Sequence, residues 1–210
     1  DGLIFLPMNL AVKSMNQGEY PSSISGTWNI NYKWKPPEEN TIDFKIKYHK
    51  TNGKDTIHPY SFINSDGSKQ IANYQKVELV VGYNEKLDKS IDFNKALVTN
   101  KPWNKHKLHY FSPTINKREN IHISNVPLTN KRMKCLKDNR DIQDGDIVEM
   151  RYNQDSKNGF VWTPLRIRDD KKDPQFFIVA NNVWETITEP VTTDIIRGND
   201  VVTEFKQDED

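Results

Sequence analysis

Ile42, Phe44, Ile46 and Tyr48 alternate with Thr41, Asp43, Lys45 and Lys47. Side chains of an extended chain point to opposite faces in turn, so this period of two predicts a half-buried strand over 41–48. The same alternation over 76–83 and the apolar-rich stretches 147–152 and 161–168 predict three more strands. Leu3-Ile4-Phe5-Leu6 reads as a buried strand. Gly18, Pro21 and Gly26 mark 9–29 as loop. Asn52-Gly53 and Asp66-Gly67 punctuate a turn-rich stretch after residue 48, and Asp144-Gly145 and Asn158-Gly159 lead into the later strands. From Phe176 onward the period changes. Val183 or Trp184, Ile187, Val191 and Ile195 recur every three to four residues, which predicts a helix. Pro190 should break or kink it near Glu189, and Gly198 should terminate it. The stretch 95–140 is weakly periodic, with Trp103, Leu108, Tyr110 and Phe111 as anchors for further strands. No internal repeat is present.

Composition narrows the class. Hydrophobic residues make up 35% of the 210 positions, and aromatics, at 10%, are enough to seed a core. No apolar run approaches the ~20 residues that would span a bilayer. The chain opens at Asp1 without a signal sequence and reads as a piece of something longer. Cys135 is the only cysteine, so neither a disulfide framework nor a cysteine-rich zinc site can form within the chain. A structural thiol is the expected role. His106 and His109 lie three apart, but no acids at metal-ligand spacing accompany them.

Charge is unevenly spread behind a net value of +1. Residues 95–140 hold eleven Lys or Arg against Glu119 and Asp138, whereas 199–210 hold five acids and one lysine. A basic middle suits contact with phosphates, and equally suits a solvated insertion. The acidic end reads as linker.

Three clusters could carry chemistry. Asp1 stands at the mouth of the first apolar strand, where an acid can reach a metal or a ribose; an ordinary turn explains it as well. Lys33 and Lys35 flank Trp34, and on an extended chain both ammonium groups share a side. Two lysines there repel one another unless an anion lies between them, and phosphate is the natural guest. A solvated edge with Trp34 in the core is the plain alternative. Arg166 and Arg168 likewise share a strand face and run into Asp169, Asp170 and Lys171, a group able to grip a pyrophosphate or to form a surface salt-bridge network.

The order of these clusters matters more than any one of them. Asp1-Gly-Leu-Ile-Phe, then Lys33-Trp-Lys-Pro with Thr41-Ile-Asp-Phe, then Arg166-x-Arg168-x-Asp170-Lys171 followed by Pro174 resemble motifs IV, V and VI of the covalent nucleotidyltransferase superfamily. Within it they look like mRNA capping guanylyltransferases, in particular those of large DNA viruses, more than polynucleotide ligases. Gln175 replaces the asparagine that commonly follows Pro174 in that family. Asn182-Val-Trp-Glu-Thr-Ile and Pro190-Val-Thr resemble the segment after motif VI. Residues 50–140 carry no matching motif.

The resemblance implies a mainly β chain with a C-terminal helix. Residues 1–48 would be the last strands of a nucleotidyltransferase domain, 49–190 an OB-fold β-barrel with a basic insertion, and 191–210 the helix end and an acidic linker. It implies a reaction in which a lysine takes GMP from GTP and passes it to the 5′-diphosphate end of RNA, with Mg2+ or Mn2+. Lys33 and Lys35 would contact the α-phosphate. Asp1 and Asp43 would serve metal or nucleotide, and Arg166, Arg168, Asp170 and Lys171 would close over the outer phosphates. The nucleophilic Lys-x-Asp-Gly motif occurs nowhere in these 210 residues, so the chain alone is expected to be inert. An intracellular setting, cytoplasmic or nuclear, without membrane contact, is implied too, as is a methyltransferase domain downstream. Two other readings stay open. One is a ligase fragment, which would prefer ATP. The other is a non-catalytic OB-type module that binds RNA through the basic 95–140 stretch, with steep salt dependence.

Overall fold

The structure, a computed structural model, describes residues 2–25, 28–63, 66–83, 108–156 and 159–199. Asp1, residues 84–107 with Trp103 and His106, and the acidic 200–210 lie outside them. The chain divides into a smaller unit, 1–39 with 191–210, and a larger one, 40–190.

In the smaller unit β1 (Leu3–Phe5) pairs antiparallel with β2 (Tyr32–Trp34), with Ile4 opposite Lys33. A Cβ at Gly2 would stand 2.1 Å from the Trp34 carbonyl oxygen, so only glycine permits this approach. The Trp34 indole N–H donates to the Val191 carbonyl at 2.7 Å. The strand at 3–5 forms as expected, but it is not buried. Leu3, Ile4 and Phe5 are 46–61% exposed, because β2 is the one strand hydrogen-bonded to β1 among the described residues.

The larger unit is built on one eight-stranded antiparallel sheet. Its path runs β10 (Arg132–Met133), β9 (Ile123–Thr129), β7 (Lys69–Gly82), β3 (Thr41–Tyr48), β11 (Ile147–Tyr152) and β12 (Trp162–Ile167). Two further strands, β6 (Ile57–Ile63) and β8 (Leu108–Tyr110), also pair with β7. A two-stranded turn, β4 (Lys50–Thr51) with β5 (Lys54–Asp55), precedes β6. The sheet curls until its ends meet. Ser124 of β9 brackets Trp162 of β12, its Oγ accepting the Trp162 N–H at 3.3 Å, and the N–H groups of Leu136 and Lys137 donate to the carbonyls of Pro164 and Leu165 at 2.9 and 2.8 Å. These bonds satisfy backbone groups that an open edge would leave bare. The result is a curled half-barrel of the expected OB type.

β3 sits in this sheet between β7 and β11. Residues 41–48, expected with the N-terminal piece, therefore belong to the larger unit, and the division falls at 39/40. Pairing decides this, since a strand hydrogen-bonded along both edges cannot be cut away from its neighbours.

Inside the curl Phe44, Phe111, Tyr152, Trp162 and Trp184 form the aromatic core. Ring centroids lie 5.0 Å apart for Phe44 and Trp162 and 4.9 Å for Tyr152 and Trp184. α1 (Phe177–Thr188) supplies Phe177, Ala180, Trp184 and Ile187 from one face. It ends at Glu189, before Pro190, as the sequence predicts. A second short helix, α2 (Thr193–Arg197), is closed by Gly198 in the left-handed conformation. Val191 and Ile195 thus do not extend the α1 stripe; they lie in the smaller unit. Cys135 is buried as a structural thiol, and burial pushes it up to about 12.

Candidate functional site

Asp43, Glu149 and Arg166 stand in one row across three strands, because β3, β11 and β12 pair with Asp43 opposite Glu149 and Glu149 opposite Arg166. Glu149 and Arg166 attract as cross-strand neighbours of opposite charge, whereas the two facing carboxylates of Asp43 and Glu149 repel and need cations beside them. Arg166 Nε donates to Glu149 Oε2, and Thr41 Oγ1 donates to Glu149 Oε1 at 3.0 Å. Burial alone would raise the Glu149 carboxyl. The hydrogen bonds from Arg166 and Thr41 outweigh it and hold the group below the ordinary carboxylate range.

Arg168 leaves the end of β12 with its N–H bonded to the Ile147 carbonyl at 2.8 Å. Its Nη1 donates to both oxygens of Asp43, at 3.1 and 2.9 Å. Nε and Nη2 donate to the two oxygens of Asp170, at 2.9 and 2.7 Å. Lys171 Nζ reaches Asp43 Oδ2 as well. Four of the sequence-predicted residues thus converge. The Asp43 side chain, 8% exposed, receives two cations; Asp170, at 65%, faces water. The hydrogen bond to Asp170, helped by the charge of Asp43, raises Arg168 well above its usual range, so it is a permanent cation. Its bond from Arg168 draws Asp170 down to about 2.

Gln175 fixes the floor of this cluster. Its Oε1 accepts the Asp43 N–H at 3.1 Å, its own N–H donates to the Asp43 carbonyl at 2.9 Å, and its carbonyl accepts the Gly82 N–H at 2.9 Å. The turn carrying Arg168, Asp170 and Lys171 is therefore anchored before Arg168 and again after Pro174. Sequence reading marked Gln175 only as a departure from the family pattern and missed Glu149 altogether. The alternation that places Asp43 also places Glu149, but which strands pair is not written in either segment. Arg140, paired with Asp169, was likewise invisible as a partner.

Lys33 and Lys35 lie in the smaller unit, exposed, on β2 and just beyond it. Asp1 lies outside the described residues. In this arrangement Arg168 and Lys171 occupy the Asp43 carboxylate, so a divalent metal could reach it only once both cations move away. Among the described residues no three His, Cys, Asp or Glu side chains gather to hold a metal.

The family profile described as "mRNA capping enzyme, C-terminal domain" matches residues 39–196. The chain belongs to that family. As a member of the capping-enzyme C-terminal domain family it is 26% identical to the probable mRNA-capping enzyme of Acanthamoeba polyphaga mimivirus over 99% of this chain and 16% of that protein. The mRNA-capping enzyme subunits alpha of Candida glabrata and Kluyveromyces lactis are 28% and 29% identical, over 92% of this chain and 38% and 37% of their own length. The chain thus spans well under half of the relatives it matches. The matched range takes in the entire Asp43–Arg168–Lys171 cluster of the capping-enzyme domain and stops short of Lys33 and Lys35. None of its described helices is long and apolar enough to cross a membrane.

Proposed function

We propose that this chain is the closing part of an mRNA guanylyltransferase, which moves GMP from GTP through a lysyl-GMP intermediate to the 5′-diphosphate end of RNA. The observation that carries the reading is the convergence of Arg168 and Lys171 on a single carboxylate. Two cations held in place on a barrel surface are what a transferring phosphoryl chain demands, since charge collects on phosphate oxygens in the transition state. Here Arg168 and Lys171 would exchange Asp43 for the outer phosphates of GTP. Asp170 would keep the guanidinium plane oriented, and Arg166, tied to Glu149, would add positive potential beside it. Lys33 and Lys35 would serve the α-phosphate. The nucleophilic lysine would come from a Lys-x-Asp-Gly segment outside this chain, and Asp43, released by the two cations, would serve the divalent metal together with Asp1. Residues 1–39 would be the edge of the nucleotidyltransferase domain, and a methyltransferase domain would follow.

Two linked measurements test this. Incubated with α-labelled GTP and magnesium and run on a denaturing gel, the 210-residue chain is expected to carry no label; a labelled band at its mass overturns the reading. In the complete enzyme, Arg168→Ala or Lys33→Ala is expected to lower GMP transfer by about 100-fold or more. Transfer unchanged within a few-fold for both would exclude a role in phosphoryl transfer.

A further inference from the structure

The barrel carries a second cluster that the phosphate chemistry leaves unused. His58, Tyr60 and Phe62 occupy alternate positions of β6 and so share one face. Tyr74 of β7 stands opposite His58, and the two rings stack at 5.1 Å with planes 21° apart. Phe160, from the loop before β12, packs against Tyr60 at 4.8 Å and Tyr74 at 5.4 Å. Phe62 remains 37% exposed.

The loop is held there by geometry. Gly159 accepts the Asn125 N–H at 2.8 Å and has φ of +79°, and a Cβ on it would lie 2.6 Å from Asn125 Nδ2. Only glycine lets the loop pass so close and still present Phe160 to the strand rings.

On one side of these rings opens a cleft of about 500 Å³, walled by Tyr60 and Phe160 and carrying Thr129, Lys134, Asn139 and Asn153. Lys134 is held by Asp141 at 3.1 Å and donates to the Asn139 carbonyl at 3.0 Å. On the other side lies a cleft of about 400 Å³ reached by Tyr74, Lys76 and Arg118. Arg118 lies over the Tyr152 ring at 5.4 Å. Both volumes fall in the range of small-ligand sites. Flat rings with side-chain amides that both donate and accept match an unpaired nucleobase, whose faces stack and whose edges carry mixed donors and acceptors. Cations on either side match the phosphates that join successive bases.

We propose that this face binds single-stranded RNA, with bases stacked on the Tyr60, Tyr74 and Phe160 cluster and the backbone running between Lys134 on one side and Lys76 and Arg118 on the other. The proposal does not depend on the guanylyltransferase reading, since it needs neither GTP nor the Arg168 cluster. It also differs from RNA binding through the basic 95–140 stretch as a whole, because aromatic stacking carries it.

Fluorescence anisotropy of the 210-residue chain with 5′-labelled oligo(U), oligo(dU) and an RNA duplex, each about 12 nucleotides long, tests it. Tyr60→Leu and Phe160→Leu keep apolar volume and remove the stacking face; each is expected to weaken oligo(U) binding about 5- to 100-fold. The duplex is expected to bind at least about tenfold more weakly than the single strand, because its bases are already stacked. Preference for oligo(U) assigns the surface to RNA, equal affinity for oligo(dU) assigns it to single strands of either kind, and both support the stacking site. Leucine variants that bind within about twofold of the parent chain, or duplex bound as tightly, overturn it and leave a protein partner as the reason for the half-buried ring cluster. Should a variant not fold, ultraviolet cross-linking of the parent chain to oligo(U) decides the matter: adducts on peptides holding Tyr60, Tyr74 or Phe160 support the site, and adducts confined to other peptides refute it.

Discussion

Trp162→Ala is expected to destabilise the barrel by about 4 kcal/mol, enough to consume much of a typical domain's stability. Trp162 is 1% exposed and touches Phe44, Phe111, Tyr152 and Trp184, four of the rings that fill the curl. Its indole N–H also donates to the Ile121 carbonyl at 3.0 Å. Truncation opens a cavity that residues on both β3 and α1 would have to collapse into, and it leaves a buried carbonyl without its donor. Ile63, 73% exposed, is the contrast: Ile63→Ala should stay within about 0.5 kcal/mol. Urea unfolding read by tryptophan fluorescence and far-UV dichroism measures both. A Trp162→Ala midpoint close to that of Ile63→Ala would mean that these rings do not form the core.

Asp43→Ala comes second, at about 2–3 kcal/mol. Breaking a buried pair by removing one partner leaves the other charge stranded, which costs about 3–5 kcal/mol when both are enclosed. The lower figure applies because Arg168 and Lys171 keep 17% and 35% of their side chains open to water and can rehydrate. Asp170→Ala removes an equally short contact to the same arginine, yet it should cost much less, since Asp170 is 65% exposed. A double-mutant cycle between Asp43→Ala and Arg168→Ala should give a coupling of about 1–3 kcal/mol. A coupling near zero would show that the bidentate contact contributes nothing. Acid separates the two partners further. The pKa of Asp170 is lowered on folding, so its contact with Arg168 is fully in place above the ordinary aspartate range, near pH 4, and is lost as pH falls through about 2.

Much of this was readable from the residues, and the exceptions have physical causes. The alternation at Ile42, Phe44 and Ile46 placed β3 and its core face, and all three are at most 1% exposed. The same alternation predicted that Asp43 faces water. It is buried because residues 168 and 171 arrive to cover it, and no local pattern reports a lid supplied from more than a hundred positions away. β6 and the first half of β7 were read as a turn-rich stretch, whereas 76–83 was predicted as a strand. Ile57–Ile63 has apolar side chains on both faces and a proline at position 59, which argues against a strand. Among the described residues β6 pairs with β7 alone, which leaves Pro59 an edge on which its missing N–H is harmless. The 3–5 segment failed in the opposite way: hydrophobic composition foretold the strand correctly, but burial depends on neighbours that composition does not supply.

Asp43 and Arg168 are separated by 125 positions in the chain and joined by three adjacent strands. Among the described residues between 49 and 146, no side chain hydrogen-bonds to Asp43, Glu149, Arg166, Arg168 or Lys171, and Arg140 meets the charged turn only at its rim, through Asp169. Loop-closure entropy grows only slowly with length, so the intervening segment is free to lengthen, shorten or acquire new surfaces at little cost to the cluster. Lineages can thus remodel one flank of the barrel for different partners while the charged patch stays constant, and sequence divergence should concentrate in that span rather than at 41–45 or 147–175.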